Sequence, residues 1–522
     1  MATAFDNLIQ TDSRCLVNGI FDRGLLNSQN GGKEAMPSHD ERRTLDGLAG
    51  KPRRLGWLAQ RTAGAEGFWR LTDTEGEVPK NLTGTLYRIC PGQKENHGVV
   101  LRHLFDGDAF ICGYSFIDGQ VTLRVRFVET PQRQEELNAG RMLYPEFGTL
   151  PPPAPEGWTP MPGGKNQPSV NVIHWDGRLL GLSEGGHPTA IDPGDLSYQG
   201  LWDFHGTLPA DIPFTAHPRF DPETGEGFGF GLRKGPGMAL TVFRMEANGK
   251  LTQLYSLPQK GYFMVHDMLL TKEDIVFVIP PIRFDLSVLF SGKAAPADAL
   301  RYYPEEPMRI VVLNRKGDGN PVTIEWPAHV VFHHGNAFRQ DGKIIMDSVV
   351  SPDSKVLEAI YPWKEEPFHK TFETQLSRFV LDPFQRRVED WSVIATHQEF
   401  PRFDLRRCGQ DLRFLHTLEF KNTGDPMAAG SFARHDLHHG RHETIEAGEG
   451  RVLSEVIFVP HPGENEETRG WLLMQGYDAF RDENYLEIRD AGTLAFIARV
   501  WTGQHFPLGF HGNFYPRSFL FL

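Results

Sequence analysis

The feature that most constrains this chain's fold is a succession of short strand-turn-strand units that begins near Leu82. Segments such as VNVIHWDGRLLGLSE, PRFDPETGEGFGFG and RFVLDPFQRRVEDWSV each join two apolar or alternating runs through a turn rich in Asp, Pro and Gly, the pattern of a β-hairpin. Hairpins along most of a chain this long predict a closed β-propeller, because radial blades protect the strand edges that an open sheet would expose.

Four of these turns share an aspartate at the start. At that position the side chain can accept a hydrogen bond from the backbone amide two residues further on. The four residues are Asp192, Asp221, Asp382 and Asp436. Their spacing is irregular, so the sequence predicts blades without a strict repeat and does not give the number of blades.

The composition also favours a mainly β protein. The 522 residues include 54 glycines and 38 prolines, more than the usual shares of about 7% and about 5%, and this surplus suits tight turns better than long helices. The hydrophobic fraction of 39% is typical of a globular chain with a sizeable interior. We therefore expect an all-β fold with few helical stretches, among them PQRQEELNAGRML and KAAPADALRYY.

Charge and cysteine usage exclude several classes of protein. The formal net charge is −13 and no run of lysine or arginine is present, so a nucleic-acid partner is not expected. The four cysteines, Cys15, Cys90, Cys112 and Cys408, lack the spacing of a disulfide framework or a thiolate zinc site. The amino terminus lacks the pattern of a signal peptide, and no apolar run approaches the length of a membrane span. We expect a cytoplasmic protein that at most touches a membrane.

The chain divides into two parts on composition. Residues 1–75 are polar and irregular, as in LNSQNGGKEAMPSHDERR, and are predicted to form an amino-terminal extension wrapped on the body or partly disordered. Residues 76–522 are predicted to form a single propeller domain.

Among 21 histidines, four lie in dense apolar or glycine-rich sequence: His217, His266, His333 and His511. They are too far apart in the chain to share one helix or hairpin. A propeller, however, brings residues from several blades to a common axis. A metal site of four imidazoles is therefore geometrically possible.

A second cluster competes with these four. The segment ARHDLHHGRHET contains His435, His438, His439 and His442, which at helical spacing could bind zinc or nickel. Its charged surroundings and its Asp and Gly favour an exposed turn instead. The GFGFG run at 227–231 is predicted to be a glycine-rich strand, because it lacks the strand-to-helix context and spacing of a dinucleotide site.

Several motifs together resemble those of the carotenoid cleavage oxygenases, a family that includes apocarotenoid oxygenases, stilbene cleavers and the retinal-pigment-epithelium isomerase. They are LTGTLYR followed by Pro91 and Gly92, FDGDAF, TAHPRFDPETGE, HDMLLTKEDIVF, FHHGNA, SEVIFVP and the terminal GFHG. The resemblance runs from about Leu82 to the end and implies a seven-bladed propeller, with short helices and loops capping one face, as the catalytic domain.

The resemblance also implies one ferrous ion on the axis, bound by His217, His266, His333 and His511. Neighbours on a strand point to opposite faces, so only one of His333 and His334 can reach the axis, and the family pattern selects His333. Four neutral imidazoles suit divalent iron, and an octahedral shell would leave two positions for dioxygen and for solvent or substrate.

Three glutamates in otherwise apolar strands are candidates to support the ligands. A metal-bound histidine normally donates its other ring N–H to a carboxylate, which fixes the tautomer and the ring orientation. The resemblance implies that Glu184, Glu399 and Glu455 support His266, His333 and His511, respectively.

The expected reaction is cleavage by O2 of a conjugated C=C bond in a lipophilic carotenoid or apocarotenoid, giving two carbonyl products. Alternatives are a stilbene or phenylpropenoid cleaver on the same scaffold, isomerisation or other metal chemistry, and a metal-free propeller that acts as a binding scaffold. Related stilbene cleavers carry a lysine immediately before the first supporting glutamate, whereas this chain has Ser183, which favours a polyene. Ile89, Cys90 and Val456 also depart from the family pattern but touch no proposed ligand.

Residues 280–292 are too apolar for an ordinary exposed loop and too short to span a bilayer. They contain Phe284, Leu286, Val288, Leu289 and Phe290. One interpretation is a buried strand and helix start. The other, favoured by the resemblance, is an apolar lip that contacts a membrane or micelle and passes a lipophilic substrate to the iron.

Overall fold

The computed structural model describes residues 55–153, 164–235, 238–259, 261–361, 372–420 and 428–519. Residues 1–54 of the predicted extension lie outside this part of the chain. Most described residues are in strands, and the α-helices among them are short: α1 (Leu55–Ala59), α2 (Pro131–Ala139), α3 (Leu286–Leu289) and α4 (Lys355–Ala359).

Seven sheets of four or more strands form the blades of a propeller, which confirms the predicted fold. Blade 1 contains β1 (Gly67–Leu71), β3 (Gly84–Pro91), β6 (Ala109–Ile117), β7 (Gln120–Phe127) and β35 (His511–Tyr515). Blade 2 contains β8 (Asn171–Trp175), β9 (Arg178–Leu182), β10 (Thr189–Ile191) and β11 (Tyr198–Leu201). Blade 3 contains β12 (Arg219–Phe220), β13 (Gly227–Arg233), β14 (Ala239–Met245) and β15 (Leu251–Pro258).

The remaining blades follow in chain order. Blade 4 contains β16 (Leu269–Leu270), β17 (Asp274–Ile279), β20 (Met308–Asn314) and β21 (Val322–Trp326). Blade 5 contains β22 (Val330–Gln340), β23 (Lys343–Ser351), β24 (Gln375–Asp382) and β25 (Arg387–Thr396). Blade 6 contains β26 (Gln398–Phe403), β27 (Phe414–Glu419), β28 (Ser431–Asp436) and β29 (Arg441–Glu446). Blade 7 contains β2 (Thr74–Gly76), β30 (Arg451–Leu453), β31 (Ile457–Pro460), β32 (Gly470–Asp478), β33 (Glu483–Asp490) and β34 (Phe496–Trp501).

Two small ribbons lie outside the blades: β4 (Glu95–Asn96) with β5 (Val99–Val100), and β18 (Ile282–Phe284) with β19 (Leu300–Tyr302). The second ribbon leads into α3. In the segment KAAPADALRYY the predicted helix is wrong, because only a single 3-10 turn, Pro296–Ala299, forms before the chain enters β19.

Strands from both ends of the described chain close the ring. Strand β35 pairs with β3 in blade 1, and β2 pairs with β34 in blade 7. Strand β1 pairs with β7, so the blade sheets begin at Gly67, inside the segment that we assigned to the extension. The polar, irregular sequence before residue 76 did not predict this strand pairing.

Local sequence explains the blade turns and one close approach between backbones. Asp192 and Asp221 accept hydrogen bonds from the amides two residues on, as predicted, whereas Asp382 and Asp436 accept from the amides three residues on. The GFGFG run forms most of β13, as predicted. A Cβ at Gly231 would lie 1.8 Å from the carbonyl oxygen of Pro213, so only glycine fits there.

The core lies mainly between neighbouring blades. Blades 7 and 1, for example, bury Leu473, Leu486 and Val500 against Tyr114 and Leu123. Such packing of apolar sheet faces supplies the main stabilising free energy. No helix among the described residues is long and apolar enough to cross a membrane.

Candidate metal centre

Each of the seven blades contributes one imidazole or carboxylate to the propeller's centre. His333, Glu399 and His511 lie in blade strands, and the other four residues lie in loops two or three residues from a blade strand. In blade order they are His511, Glu184, His217, His266, His333, Glu399 and Glu455. The structure thus brings together all four predicted ligand histidines and all three predicted supporting glutamates.

The four histidines direct ring nitrogens at one point. All four candidate ligand atoms lie within 4.8 Å of one another. The Nε2 atoms of successive residues are separated by 2.9 Å for His217 and His266, 3.2 Å for His266 and His333, and 3.1 Å for His333 and His511. Metal–nitrogen bonds of about 2.1 Å place neighbouring ligands about 3.0 to 3.4 Å apart. The observed spacing is close to that of ligands around one metal ion.

Three histidines have a carboxylate behind the ring. The Nδ1 atom of His266 lies 2.5 Å from Glu184, that of His333 lies 2.6 Å from Glu399, and that of His511 lies 3.1 Å from Glu455. At His333 and His511 the carboxylate accepts a hydrogen bond, so their Nδ1 atoms carry the proton and their Nε2 atoms present a lone pair. His266 and Glu184 form a close ion-pair contact. Lone pairs that face one another at about 3 Å repel, and a cation between them removes that repulsion. The donor set therefore fits a metal ion.

Burial sets the protonation of His217 and His511, whereas at His266 the neighbouring Glu184 outweighs burial and raises the pKa. Burial keeps the pKa of His217 well below its usual value and lowers that of His511 to about 4, so both rings are neutral at pH 7. Burial also opposes ionisation of Glu455, but Arg402, His511 and Arg88 lower the pKa of that carboxyl to about 2. The carboxylate behind His511 is thus charged over the whole physiological range.

Irregular strand pairing aims the residues of blades 5 and 6 inward. The register of β22 against β23 shifts on both sides of His334, and that of β26 against β27 shifts after Glu399. Such bulges re-aim side chains. His333 reaches the centre, whereas the His334 ring pairs with Ser348 at 2.8 Å, which agrees with the choice of His333 over His334.

An ion pair ties three blades together beside the centre. Arg219 of blade 3 pairs with Asp267 of blade 4 at 2.7 Å and donates to the carbonyl oxygen of His334 in blade 5. Asp267 also accepts from the backbone N–H of His334 at 2.9 Å. These contacts fix the backbones that carry the ligands of blades 3, 4 and 5.

The competing histidine cluster does not converge. His438 and His439 lie on an exposed turn and pair with Asp411 and Asp436 at 3.0 Å, as predicted. His435 is buried in β28, where its Nε2 atom lies 2.8 Å from the Thr417 hydroxyl. Among the residues that the structure describes, only the four axial histidines form a group that could hold a metal ion.

A cavity of about 1670 Å³ opens onto the centre. Its wall includes His266, His333 and His511, and most of the remaining lining is apolar. Common ligand pockets measure about 300 to 1,000 Å³, so this cavity suits an unusually long apolar ligand.

Sequence reasoning missed several residues near the centre. The Phe400 ring lies 5.1 Å from that of His333 and 5.5 Å from that of His511, and its backbone has a φ of 54°, a strained conformation typical of functional sites. Arg88 and Arg402 flank Glu455. Arg88 ends the LTGTLYR motif, but the role of neither arginine could be predicted, because it depends on contacts between blades.

Comparison with known proteins gives matches over nearly the whole described chain. A family model described as "Retinal pigment epithelial membrane protein" matches residues 61–516. Apocarotenoid-15,15'-oxygenase of Synechocystis sp. is 30% identical over 459 residues, covering 85% of this chain and 93% of that protein. Carotenoid cleavage oxygenase 1 of Neurospora crassa is 29% identical over 476 residues, covering 85% and 87%.

A solved structure extends this likeness to the fold. The crystal structure of cobalt-substituted Synechocystis apocarotenoid oxygenase matches with a TM-score of 0.80 and 29% sequence identity, over 88% of this chain and 98% of that one. The backbone and the sequence of this chain thus both resemble those of the Synechocystis protein along the seven blades.

Proposed function

We propose a function for this chain from the premise that it belongs to the carotenoid cleavage oxygenase family, as its match over residues 61–516 shows. The protein is an iron-dependent dioxygenase that cleaves a conjugated C=C bond of a carotenoid or apocarotenoid. One oxygen atom of O2 goes to each alkene carbon, so the products are two carbonyl compounds. The observation that carries this proposal is the convergence of four imidazoles, three of which line a large, mostly apolar cavity.

His217, His266, His333 and His511 would hold one ferrous ion. When bound, the ion supplies the redox chemistry that activates dioxygen. Four imidazoles would suit a borderline divalent ion such as ferrous iron. None of the four candidate ligands is a carboxylate, so this set would leave the positive charge of a bound divalent ion uncompensated.

The chain's own residues orient the ligands and exclude water. Glu399 and Glu455 accept the Nδ1 protons of His333 and His511 and so direct their Nε2 lone pairs at the metal, and Glu184 lies against the Nδ1 atom of His266. Phe400 and Phe332 pack beside His333 and His266. Their rings keep the reacting face of the site apolar, which suits a polyene and restricts the entry of water.

The substrate class follows from the cavity and from Ser183. Ser183 lines the cavity beside Glu184, at the position where related stilbene cleavers carry a lysine. A serine lacks the reach and charge to engage a distant phenol. This supports a polyene over a stilbene or phenylpropenoid.

Incubation of the iron-loaded protein with carotenoids, apocarotenals and stilbenes tests this function. We expect aldehyde or ketone products from the polyenes, each with one oxygen atom from ¹⁸O2, and little product from the stilbenes. Cleavage of stilbenes alone would overturn the substrate class. Failure to cleave any alkene by a protein with one iron per chain would overturn the function.

A membrane-facing entrance is the second part of the proposal. Helix α3 with Phe290 is not buried: Phe290 is 79% exposed and Leu286 is 37% exposed. Asp285 caps the helix through the amides of Ser287 and Val288. Leu286, Leu289 and Phe290 also line the cavity, so one apolar surface is continuous from the rim to the interior. Such a rim suits uptake of a lipophilic substrate from a membrane or micelle. The cytoplasmic location stays a prediction.

A double substitution tests this entrance. Leu289→Glu with Phe290→Glu should leave the melting temperature and iron content unchanged, and should reduce liposome binding and turnover of membrane-dissolved substrate. The matched control is Leu201→Glu with Phe384→Glu, which changes an exposed leucine and phenylalanine outside the cavity lining. Equal liposome binding by the rim variant and its parent would refute the entrance, and unfolding of the rim variant would assign the segment to the core.

A further inference from the structure

Two lysines line the mostly apolar cavity, and they differ in what balances their charge. Lys165 is enclosed, and its ammonium pairs with Glu136 at 2.7 Å and with Asp108. Lys234, which directly follows β13, is exposed and has no carboxylate within ion-pair distance among the described residues. The cavity wall therefore carries one positive charge that the described protein leaves unpaired.

The Lys234 side chain extends from blade 3 to blade 2, close to the metal centre. Its ammonium donates a hydrogen bond to the carbonyl oxygen of Gly185 at 2.8 Å, the only one that it makes to a described residue. Gly185 follows Glu184, whose carboxylate lies 2.5 Å from Nδ1 of His266. An ammonium can donate three hydrogen bonds, so two remain for a ligand in the cavity.

Two hydroxyl groups lie near the same stretch of the cavity wall. A Cβ added to Gly185 would lie 3.7 Å from the Ser183 hydroxyl oxygen, and no other described atom beyond the chain neighbours of Gly185 comes within 4 Å. Burial and, to a smaller extent, Glu184 raise the pKa of Tyr262 to about 12, so this phenol keeps its proton and can donate. Neither hydroxyl has a hydrogen-bond partner among the described residues, and neither is fully enclosed. Both residues line the cavity.

The ammonium and the two hydroxyls have in common that they donate hydrogen bonds. A carboxylate only accepts, and it offers two oxygens with about four lone-pair sites. It would also balance the charge of Lys234 and so offset the burial that lowers the pKa of this lysine. The Glu184 carboxylate does not fill this role, because it contacts His266. An aldehyde or a hydroxyl would bring one oxygen without charge, and a hydrocarbon end would satisfy none of the donors.

We propose that Lys234, with the hydroxyls of Tyr262 and Ser183, forms a subsite for a carboxylate group at one end of the substrate. These three residues are called the donor cluster below. The inference rests on the proposed function and narrows its substrate class to a polyene acid, an apocarotenoid whose end group is a carboxylate. When that carboxylate occupies the donor cluster, the polyene lies in the apolar part of the cavity.

The test compares an apocarotenoid acid with its methyl ester, which keeps both oxygens and the whole polyene but lacks the charge. Binding is titrated without dioxygen through the polyene absorbance, and kcat/KM is measured in air. The acid-to-ester ratio of affinities is compared between the parent and its variants, so that unequal partition of the two compounds into detergent cancels. Equal ratios in the parent and Lys234→Met would overturn the subsite and leave the proposed function intact. A preference that depends on Lys234, with no cleavage of either compound, would do the reverse.

Lys234→Met gives the sharpest variant, since methionine has a similar length and no charge. It should reduce the acid-to-ester ratio by about ten- to hundredfold, the range expected for hydrogen bonds to a charged group. Lys234→Arg keeps the charge and should retain most of the ratio. Lys250→Met is the matched control, because Lys250 is exposed on the same blade outside the cavity lining, and it should leave the ratio unchanged. An equal loss in Lys250→Met would assign the effect to overall charge and overturn the subsite.

The two hydroxyls are tested by Tyr262→Phe and Ser183→Ala, each of which removes one neutral donor. Each variant should reduce the acid-to-ester ratio by about two- to tenfold, the range expected for one net hydrogen bond. Iron content and melting temperature should stay unchanged. Equal weakening of acid and ester binding in either variant would remove that hydroxyl from the donor cluster.

Two measurements separate a substrate from other acids. The parent should cleave the acid with a higher kcat/KM than the ester. A saturated fatty acid of similar length should displace the polyene acid only weakly, because its flexible chain loses more conformational entropy on binding. Displacement at equal concentration would assign the subsite to fatty acids and overturn its role for a polyene. Tight binding of the acid without its cleavage, by a protein that cleaves the ester, would overturn the acid as a substrate.

Discussion

Two groups of buried histidines lie in this propeller, and they differ in what surrounds each ring. The four axial residues direct Nε2 atoms at one point, and three of them have a carboxylate at Nδ1. His103, His416 and His435 are more buried than the axial residues, but none pairs with a carboxylate in the described structure. Burial lowers the pKa of His217 and His511 in the first group and that of all three residues in the second, so neither burial nor a low pKa identifies a ligand. The features that identify the ligands are the convergence of their Nε2 atoms on one point and the carboxylates that fix the ring tautomer.

The largest expected effect separates these groups directly. Replacement of His333 by alanine removes a ligand, opens the metal shell and weakens the hold of the remaining three. We expect the parent to bind about one iron per chain and the variant to lose both iron and alkene cleavage; His217→Ala, His266→Ala and His511→Ala should behave alike. Iron is measured by atomic spectroscopy on protein that elutes as a folded monomer or oligomer at the parent's position.

Matched controls come from histidines outside the axis. His438→Ala and His439→Ala change exposed rings on the turn of blade 6 and should leave iron content and turnover unchanged. Normal iron content and turnover in any axial variant would show that the replaced residue is not a metal ligand. That result would contradict the distinction between the two groups of histidines.

The sequence predicted the axial set because two kinds of information agreed. Apolar context selected four of 21 histidines, and the family motifs assigned them a common role. The His103 context, VVLRHLFDGDAF, is just as apolar, yet that ring packs between Phe105 and Phe147. Local sequence alone therefore does not separate a ligand from a core histidine. The ligands come from different blades, and successive ligands are 49 to 178 residues apart in sequence.

Other features depended on contacts that the sequence does not record. Lys165 lies in the polar, irregular segment GGKNQPS, which suggests an exposed loop, but three carboxylates draw it into the interior. Strand β1 forms only because β7 provides a free edge. The hairpins and the aspartate turns, in contrast, are local and were predicted from local pattern.

The second prediction sharpens the role of the carboxylates. Glu184→Gln, Glu399→Gln and Glu455→Gln should keep the fold and reduce iron affinity or activity by about 10- to 100-fold, the usual cost of removing such a partner. Each effect should be smaller than the loss of a histidine. The amide oxygen can still accept from Nδ1, but it lacks the charge that strengthens that bond.

The three glutamates provide an internal comparison. Glu455 has Arg88 at 3.4 Å and Arg402 at 3.8 Å, so Glu455→Gln leaves two buried arginines without their carboxylate and should also lower the melting temperature. Glu184 has no such partners among the described ion pairs, and Glu184→Gln should change iron affinity with little change in melting. Wild-type iron affinity in all three variants would contradict the assigned role.

The smallest effect concerns the histidines outside the axis. Burial lowers the pKa of His416 to about 3 and that of His435 to about 4, whereas an unfolded histidine titrates near 6.5. The unfolded state therefore binds more protons below pH 6.5, and the free energy of unfolding falls by about 1.4 kcal/mol per pH unit for each such ring until the folded pKa is reached. This contribution is fully present above pH 6.5 and is lost on acidification. In His416→Asn, the free energy of unfolding should fall less steeply between pH 6 and pH 4.5. The slope should be smaller by about 1.4 kcal/mol per pH unit, which corresponds to one bound proton. Urea unfolding at several pH values measures this slope. His438→Gln, at an exposed site, should keep the parent's slope, and an unchanged slope in His416→Asn would show that His416 is already protonated in the folded protein.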